Sequence, residues 1–337
     1  MSAVDVVAAI LFLGILAYAL FGGADFGSGF WDLTAGDADA GAPVRTLVDR
    51  SIGPVWEANH VWLIFVLVFL WTGFPRGFTA IVTTASLPLA FALVGIVLRG
   101  AGFAFRKFAS TLAGARAFGI VFALSSVTTP FFLGAVVGGV VAGRIPADGY
   151  GDRWTSWTGP PSLLGGTIAV LTCAYLAGVF LIADASRSGD TELAEQLRRR
   201  VLAVAIVTGI VVSGGVIVLH HYARTIFDAL LARAVVLVVL SAVAGAASAV
   251  AVSRRAYQFA RFAAAGAVTA VVAGWGVAQY PWMLVDELRL DDAAGAHATL
   301  VALAVVGAIA VMIVVPSLGW LFRLASHTPS NAAHPES

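Results

Sequence analysis

Long apolar stretches dominate the chain, and short polar segments that hold most of the charged residues separate them. Nine stretches are long enough to cross a bilayer, because a helix needs about 20 apolar residues to span about 30 Å of hydrocarbon. They cover approximately residues 4–22, 54–73, 77–98, 118–142, 163–183, 201–219, 234–252, 262–280 and 298–322. A membrane β-barrel would instead alternate apolar and polar positions over segments of about ten residues. The pattern therefore predicts an all-α polytopic membrane protein with about nine transmembrane helices.

The connections between the stretches are mostly short, which predicts a single transmembrane domain over residues 1–325. Residues 326–337 are polar and contain proline, so we expect a disordered cytoplasmic tail there. The first stretch has no positively charged start and no small-residue cleavage site before a soluble domain. It is therefore predicted to be a retained span and not a secretory signal.

The composition agrees with a membrane protein and excludes several kinds of binding site. Hydrophobic residues make up 60% of the chain and charged residues 12%, whereas soluble domains carry about 25% charged residues. Twenty Lys and Arg balance 19 Asp and Glu. The chain therefore lacks the excess of basic residues that contacts with nucleic-acid phosphates require, and no nucleic-acid partner is expected. The single cysteine, Cys173, excludes disulfide frameworks, cysteine-ligated zinc and iron–sulfur clusters.

The basic residues divide unequally between the two sides of the predicted spans. One side holds fourteen: Arg45, Arg50, Arg99, Arg106, Lys107, Arg116, Arg187, Arg198, Arg199, Arg200, Arg254, Arg255, Arg261 and Arg323. The other side holds six: Arg76, Arg144, Arg153, Arg224, Arg233 and Arg289. Because cytoplasmic loops carry the excess of Lys and Arg, nine spans place the N-terminus outside and the C-terminus in the cytoplasm.

Two ionisable residues lie within the apolar stretches once Asp5, at the end of the first, is set aside: Glu57 and His60. A charge in hydrocarbon costs several kcal/mol, so such residues are candidates for function. Their spacing of three places them on one helix face, and Pro54 suits the first helical position. Glu57 then lies near the cytoplasmic start of its helix, where it serves either in proton transfer or as a structural acid that pairs with an arginine.

His60 has three interpretations: an interior hydrogen-bonded residue, a proton relay beside Glu57, or a haem or metal ligand. Glu57 and His60 match the Glu-x-x-His half of a di-iron site, but that site needs a second copy and two further glutamates. The remaining glutamates fall in predicted loops or the tail. We therefore expect no metal site, and the other five histidines form a poor ligand set for several haems in this chain.

Two further charged residues, Asp25 and Arg99, lie at the cytoplasmic ends of their stretches. Each is placed to pair with the other or with Glu57, and the alternative for Arg99 is snorkelling to the membrane interface. The fourth stretch also carries hydroxyl side chains that suit a water chain or hydrogen bonds to their own helix. They belong to Ser125, Ser126, Thr128 and Thr129.

Several short motifs together identify a family. They are Asp25-Phe26-Gly27 with Gly29, IGPVWEANHVWLI at Ile52–Ile64, RGAGFAF at Arg99–Phe105, GWGVAQYP at Gly274–Pro281, and Asp292-Ala293-Ala294. With these motifs the chain resembles subunit II of cytochrome bd-type quinol oxidases. The resemblance runs from about residue 4 to residue 324, and the tryptophan–acid segment is its most specific part.

The resemblance implies a subunit of a complex in a bacterial cytoplasmic membrane that oxidises quinol, reduces O2 to water and contributes to the proton-motive force. In such oxidases, haem b, haem d and the quinol-oxidising loop belong to a partner, subunit I. The implied fold is two four-helix bundles plus one peripheral helix. Some members hold a structural quinone in subunit II, and no motif decides this here. The sequence also leaves open whether a small single-span subunit is a further partner.

The resemblance also implies roles for individual residues. Glu57 matches an acid implicated in proton delivery from the cytoplasm, with Trp56 and Asn59 around it. Asp25 and Arg99 match positions tied to assembly of the haem-loaded complex. The chain departs from some members, which have Asp-Gly where it has Glu57 followed by Ala58, so the acid here is one methylene longer.

Two other functions compete with this one. A stand-alone membrane transporter or proton channel is disfavoured, because the discontinuous helices and paired intramembrane charges usual at transport sites are missing from the pattern. A structural assembly factor, in which no residue handles protons, is the other alternative. Substitution of Glu57 distinguishes the assembly factor from the oxidase subunit.

Overall fold

The computed structural model describes residues 2–37, 39–52, 56–106 and 108–327, and for residues 52, 56–58, 112, 315, 318 and 321–327 it describes the backbone alone. Helices make up almost all of the described chain. They are α1 (Ala3–Ala17), α2 (Gly23–Leu33), α3 (Ala42–Ile52), α4 (Trp56–Gly73), α5 (Pro75–Thr84), α6 (Ser86–Arg106), α7 (Leu112–Val141), α8 (Thr155–Thr158), α9 (Pro160–Arg187), α10 (Thr191–Tyr222), α11 (Arg224–Arg233), α12 (Val235–Ser253), α13 (Tyr257–Gln279), α14 (Leu290–Ala293) and α15 (His297–His327). One antiparallel hairpin joins β1 (Trp282–Leu284) to β2 (Leu288–Arg289).

The prediction of an all-α polytopic membrane protein is confirmed. Within the described residues, eight helical stretches are long and apolar enough to cross a membrane. The pair α4 and α5 makes a ninth if it is one span, bent by 116°. Because Pro75 begins α5 immediately after this bend, the proline marks the break, as expected for a residue that cannot continue a preceding helix.

The predicted third stretch, residues 77–98, is wrong in its bounds. Residues 77–84 belong to α5, and the membrane-spanning helix α6 begins at Ser86 and continues to Arg106. Likewise, the first stretch does not end at residue 22. It passes through a π-helical turn, Tyr18–Gly22, into α2 and ends at Leu33. Turns of π-helix are rare in proteins, and many of those that occur lie at functional sites.

The helices pair as the resemblance implied. In the first bundle α1 packs against α4, α2 against α7, and α6 against α7. In the second, α9 packs against α10 and α13, and α12 packs against α10 and α13. The peripheral helix α15 contacts α1 and α4. The two bundles meet where α9 lies against α2 and α7.

Buried side chains join the bundles at this meeting line. The indole of Trp31 on α2 donates a hydrogen bond to the carbonyl oxygen of Ala174 on α9, at 2.8 Å. On the other side of α9, the hydroxyl of Tyr175 donates to Ser248 on α12 at 2.8 Å. Ser248 in turn donates to the carbonyl oxygen of Ala260 on α13 at 2.9 Å. Helix α9 is therefore the central element that fixes both bundles.

Contacts between loops and helix ends define two ends of the molecule. At one end, which we call the arginine-rich end, the contacts are Arg45 with Asp32, Arg106 with Asp49, Ser51 with Asp184, Arg200 with Thr34 and Arg255 with Glu195. At the opposite end they are Arg76 with Asp292, Thr84 with Gly149, Thr225 with Asp286 and Arg233 with Ala278. These ends correspond to the two groups of basic residues in the sequence.

Helix α15 continues to His327, two residues into the predicted tail. The rest of that tail, residues 328–337, lies outside the described residues.

Candidate functional site

A buried ion pair lies inside the first bundle. Arg99 on α6 donates from Nη2 to Oδ1 of Asp25 on α2 at 2.7 Å, and Arg99 is fully buried. The same nitrogen lies 3.3 Å from the carbonyl oxygen of Asp25, and Nε donates to the hydroxyl of Ser126 on α7 at 3.1 Å. The pairing of Asp25 with Arg99 is therefore confirmed in the structure, and snorkelling of Arg99 to the interface is excluded. Paired intramembrane charges and a broken helix pair, α4 with α5, are thus both present, so the expectation that the chain lacks these features of transport sites was wrong.

Aromatic rings enclose the guanidinium of Arg99. Its central carbon lies 5.0 Å from the ring centre of Phe26 and 5.2 Å from that of Phe122. Two atoms of the pair, Oδ2 of Asp25 and Nη1 of Arg99, have no hydrogen-bond partner among the described residues. Removal of either residue would leave the other as an uncompensated charge in a low-dielectric interior. The stability of the folded bundle therefore depends on both residues together.

Two polar side chains of the first bundle contact the ring of Phe26. His60 on α4 stacks on it with ring centres 5.9 Å apart, and Tyr18 in the π turn meets it edge-on at 6.3 Å. Asn59, beside His60, is buried. Helix α4 therefore brings His60 of its motif against the helix that carries Asp25.

Glu57 and Trp56 begin the described part of α4. Their side chains lie outside the described residues, as does the whole of Pro54, the predicted first helical residue. The position of the Glu57 carboxylate consequently stays a prediction from the sequence.

The predicted hydroxyl chain on α7 bonds to its own helix. Ser125 donates to Val121, Ser126 to Phe122 and Thr129 to Ser125, each to a backbone carbonyl oxygen, with Thr128 also facing Ser125 at a long 3.4 Å. Among the described contacts of these four hydroxyls, that of Ser126 also accepts from another helix, through Arg99. The structure therefore favours the self-bonded interpretation over the water chain.

A second ion-pair network, which the sequence analysis missed, lies nearer the arginine-rich end. Asp32 on α2 accepts from Arg106 on α6 at 2.5 Å and from Arg45 on α3 at 3.0 Å. Arg106 also pairs with Asp49 on α3. We call these four residues the Asp32 cluster. Asp32 lies seven residues after Asp25 and Arg106 seven residues after Arg99, so the two ion pairs repeat along two helices that run in the same direction.

The family model for cytochrome bd terminal oxidase subunit II matches residues 3–325. The chain belongs to this family. A curated relative, cytochrome bd ubiquinol oxidase subunit 2 of Bacillus subtilis (strain 168), is 25% identical over 204 residues. That match covers 60% of this chain and 58% of the relative, which is less than two thirds of its length.

A solved structure of bd oxidase from Geobacillus thermodenitrificans has the same fold. Its similar chain superposes with a TM-score of 0.80 at 22% identity, and the match covers 96% of this chain and 98% of that one. The family fold is thus present over nearly the whole chain, including α2, α4 and α6, which carry the predicted site residues.

Three of the described histidines lie at two separate places in the bundles. His60 lies against Phe26, while His220 and His221 contact each other at the end of α10. The Nε2 atom of His220 is also 2.6 Å from Arg224. Among the described residues, no group of three or more His, Cys, Asp and Glu is arranged to hold a metal ion.

Proposed function

We propose that this chain is the subunit II component of a membrane complex that oxidises quinol and reduces O2 to water. The observation that carries the proposal is the family match over residues 3–325. Haem b and haem d would be held by the partner, subunit I, and would supply the electron transfer and oxygen chemistry. The role of this chain is then to provide a scaffold and a route for protons.

The proposal includes an orientation. Thirteen of the 20 basic residues belong to the arginine-rich side once the buried Arg99 is set aside, and contacts bring the segments of that side together at one end of the bundles. By the excess of positive charge on cytoplasmic loops, this end faces the cytoplasm and the N-terminus lies outside. Protons consumed in the reduction of O2 would enter from this end, so the reaction contributes to the proton-motive force.

Within this route, Glu57 is proposed as the group that takes up protons. Its backbone lies at the start of the described part of α4, which follows α3 of the arginine-rich end by only a few residues. Two and three residues farther along α4, Asn59 is buried and His60 lies against Phe26, which also contacts Arg99. His60 is the proposed relay from Glu57 toward the interior of the bundle.

Substitution Glu57→Gln tests this step, because the amide keeps the size and removes the transferable proton. We expect a complex with normal haem content whose oxygen consumption falls about 100-fold, the lower range for loss of a general acid–base group. Glu57→Asp is the matched control, since it keeps the acid, and it should retain most of the activity. Full activity of Glu57→Gln would remove Glu57 from the proton route and leave a purely structural assembly role.

The complex itself is tested by tagging this chain and purifying it from native membranes in mild detergent. We expect b- and d-type haem bands in a reduced-minus-oxidised spectrum, together with a second large membrane subunit. Any small single-span subunit and any bound quinone would be detected in the same preparation. A chain that purifies alone and colourless, while other respiratory complexes stay intact, would contradict the proposal in favour of a stand-alone transporter or proton channel.

A further inference from the structure

An arginine lies just inside the start of a membrane-spanning helix of the second bundle. Arg261 is the fifth residue of α13, which begins at Tyr257 and is long and apolar enough to cross a membrane. With a rise of 1.5 Å per residue, Arg261 lies about 6 Å along the helix from its first residue. The whole helix is about 35 Å long, only slightly more than the roughly 30 Å of hydrocarbon in a bilayer. Arg261 therefore lies close to the boundary between hydrocarbon and lipid headgroups.

The guanidinium of Arg261 packs against an aromatic ring but lacks a counter-charge. Its central carbon lies 4.6 Å from the ring centre of Phe180 on α9, as in a cation–π contact. Its hydrogen bond to Oε1 of Gln258, one turn earlier on α13, is long at 3.5 Å. Within the part of the chain that the structure describes, no carboxylate forms an ion pair with Arg261. Its N–H groups are consequently available to an anion.

The acid that interacts electrostatically with Arg261 is Asp184 on α9, and both of its oxygens are occupied. Oδ1 accepts from Arg187, and Oδ2 accepts from the hydroxyl of Ser51 at 2.8 Å. The charge of Arg187 also acts on Arg261, and its side chain is 50% exposed. Two guanidinium groups thus face one carboxylate at this place, which leaves one positive charge without compensation.

The surrounding surface of the arginine-rich end is also positive. Residues 184–200 and 253–262, which form the ends of α9, α10, α12 and α13, contain seven arginines and four acids. One of these acids, Glu195, contacts three arginines at once: Arg198, Arg199 and Arg255. An excess of one sign of charge raises the local concentration of ligands of the opposite sign. This end of the second bundle therefore attracts anions.

An apolar surface continues from Arg261 along the same helix. Phe259 is 60% exposed and Phe262 is 77% exposed. A β-carbon at Gly266, one further turn along the same face, would meet no described atom within 4 Å. A positive group beside such a surface suits a molecule with an anionic head and apolar tails, and basic pockets between membrane helices bind phospholipid headgroups in this way. A free phosphate ion would leave the apolar surface unused.

We propose that the arginine-rich end of the second bundle binds one anionic phospholipid. Its phosphodiester oxygens accept hydrogen bonds from Arg261 beside Arg187, and its acyl chains lie along Phe259 and Phe262. A guanidinium suits this role because its N–H groups form a planar fork that matches phosphate oxygens. A lipid bound in the folded state stabilises the bundle. The site lies outside the first bundle and the proposed proton route, so this inference stands or fails independently of that route.

The first test compares two lipids on the unmodified complex, purified in mild detergent and stripped of bound lipid. Phosphatidylglycerol, which is anionic, and phosphatidylcholine, which has no net charge, are added separately. Native mass spectrometry measures binding, and thermal unfolding measures the stabilisation. We expect phosphatidylglycerol to bind about tenfold more tightly, the effect of one charge-assisted hydrogen bond, and to raise the melting temperature more. Equal binding of the two lipids would overturn the inference.

Inorganic phosphate distinguishes a lipid headgroup from a soluble anion. At millimolar concentration it should neither displace phosphatidylglycerol nor raise the melting temperature, because it makes no contact with the apolar surface. If phosphate displaces the lipid completely, the site binds a soluble anion and the inference is wrong.

Substitution Arg261→Gln tests the residue that carries the inference. We expect normal haem content, phosphatidylglycerol binding weakened about tenfold, and loss of the preference over phosphatidylcholine. Arg261→Lys keeps the charge and should bind with intermediate affinity, because it lacks the planar fork. Unchanged binding by Arg261→Gln would mean that this arginine only extends to water at the membrane surface, and the inference would fail.

Arg199→Gln is the matched control, since Arg199 belongs to the same positive surface but is 80% exposed. We expect this variant to bind phosphatidylglycerol as the unmodified complex does. If Arg199→Gln and Arg261→Gln weaken binding equally, the attraction is a general property of the positive surface, and no specific site exists. Should Arg261→Gln fail to assemble, the comparison of the two lipids on the unmodified complex still decides whether the site exists.

Discussion

Substitution Arg99→Met is expected to remove nearly all of the haem-loaded complex from membranes. The methionine replaces a fully buried guanidinium with an apolar chain of similar length, and the carboxylate of Asp25 is left 2% exposed without its counter-charge. Breaking a buried ion pair from one side costs about 3–5 kcal/mol, which is a large part of the roughly 5–15 kcal/mol that holds a typical domain folded. The reduced-minus-oxidised spectrum of the membranes measures the loss.

Two controls separate charge compensation from other causes. Arg199→Met removes an arginine that is 80% exposed, and we expect normal amounts of complex. The double variant Asp25→Leu/Arg99→Met removes both charges, and should recover much of the complex because an apolar pair is often as stable as a buried ion pair. A double variant as poor as Arg99→Met would show that the residues act separately. If the double variant recovers its haem content but turns over slowly, the Asp25–Arg99 pair also has a role in proton transfer.

The same ion pair explains where hydropathy predicted the spans wrongly. The first predicted stretch ends at residue 22, three residues before Asp25, and the third ends at residue 98, immediately before Arg99. In the structure both helices continue for a further seven residues or more. Hydropathy counts each charge as a cost to the segment that carries it. It contains no information that the two charges lie 2.7 Å apart and compensate each other.

One ion pair of the Asp32 cluster could have been predicted from a repeated spacing in the sequence. Asp25 and Asp32 on one helix, and Arg99 and Arg106 on another, have the same spacing of seven. Because residues seven apart lie on the same helix face, one confirmed pair between parallel helices predicts the second. Ser126 and Phe122 had no comparable signal, since their contacts with Arg99 depend on how α7 crosses α6. The bend between α4 and α5 had a signal in Pro75, which lies between the second and third predicted stretches.

Substitution Gly27→Ala is expected to separate α2 from α9. A β-carbon at Gly27 would lie 1.8 Å from the carbonyl oxygen of Cys173 and 2.3 Å from its carbonyl carbon. Both are backbone atoms, so relief requires a helix to move. Gly27 lies two residues from Asp25, and such a movement also strains the bond from Trp31 to Ala174. We expect a cost of about 3 kcal/mol, the upper part of the range for overpacking.

Gly119→Ala is the matched control, because Gly119 lies within the membrane-spanning helix α7 and a β-carbon there meets no atom within 4 Å. Alanine favours a helix over glycine by up to about 1 kcal/mol, so this variant should melt at the same temperature as the unmodified complex or slightly higher. Gly27→Ala should lower the melting temperature of the complex and its haem content together, since the shift of α2 carries Asp25 away from Arg99. Equal melting temperatures for the two variants would mean that α2 and α9 accommodate a β-carbon placed 1.8 Å from the carbonyl oxygen of Cys173 without a measurable cost. Normal melting with reduced turnover would instead place the effect of α2 on proton movement and not on assembly.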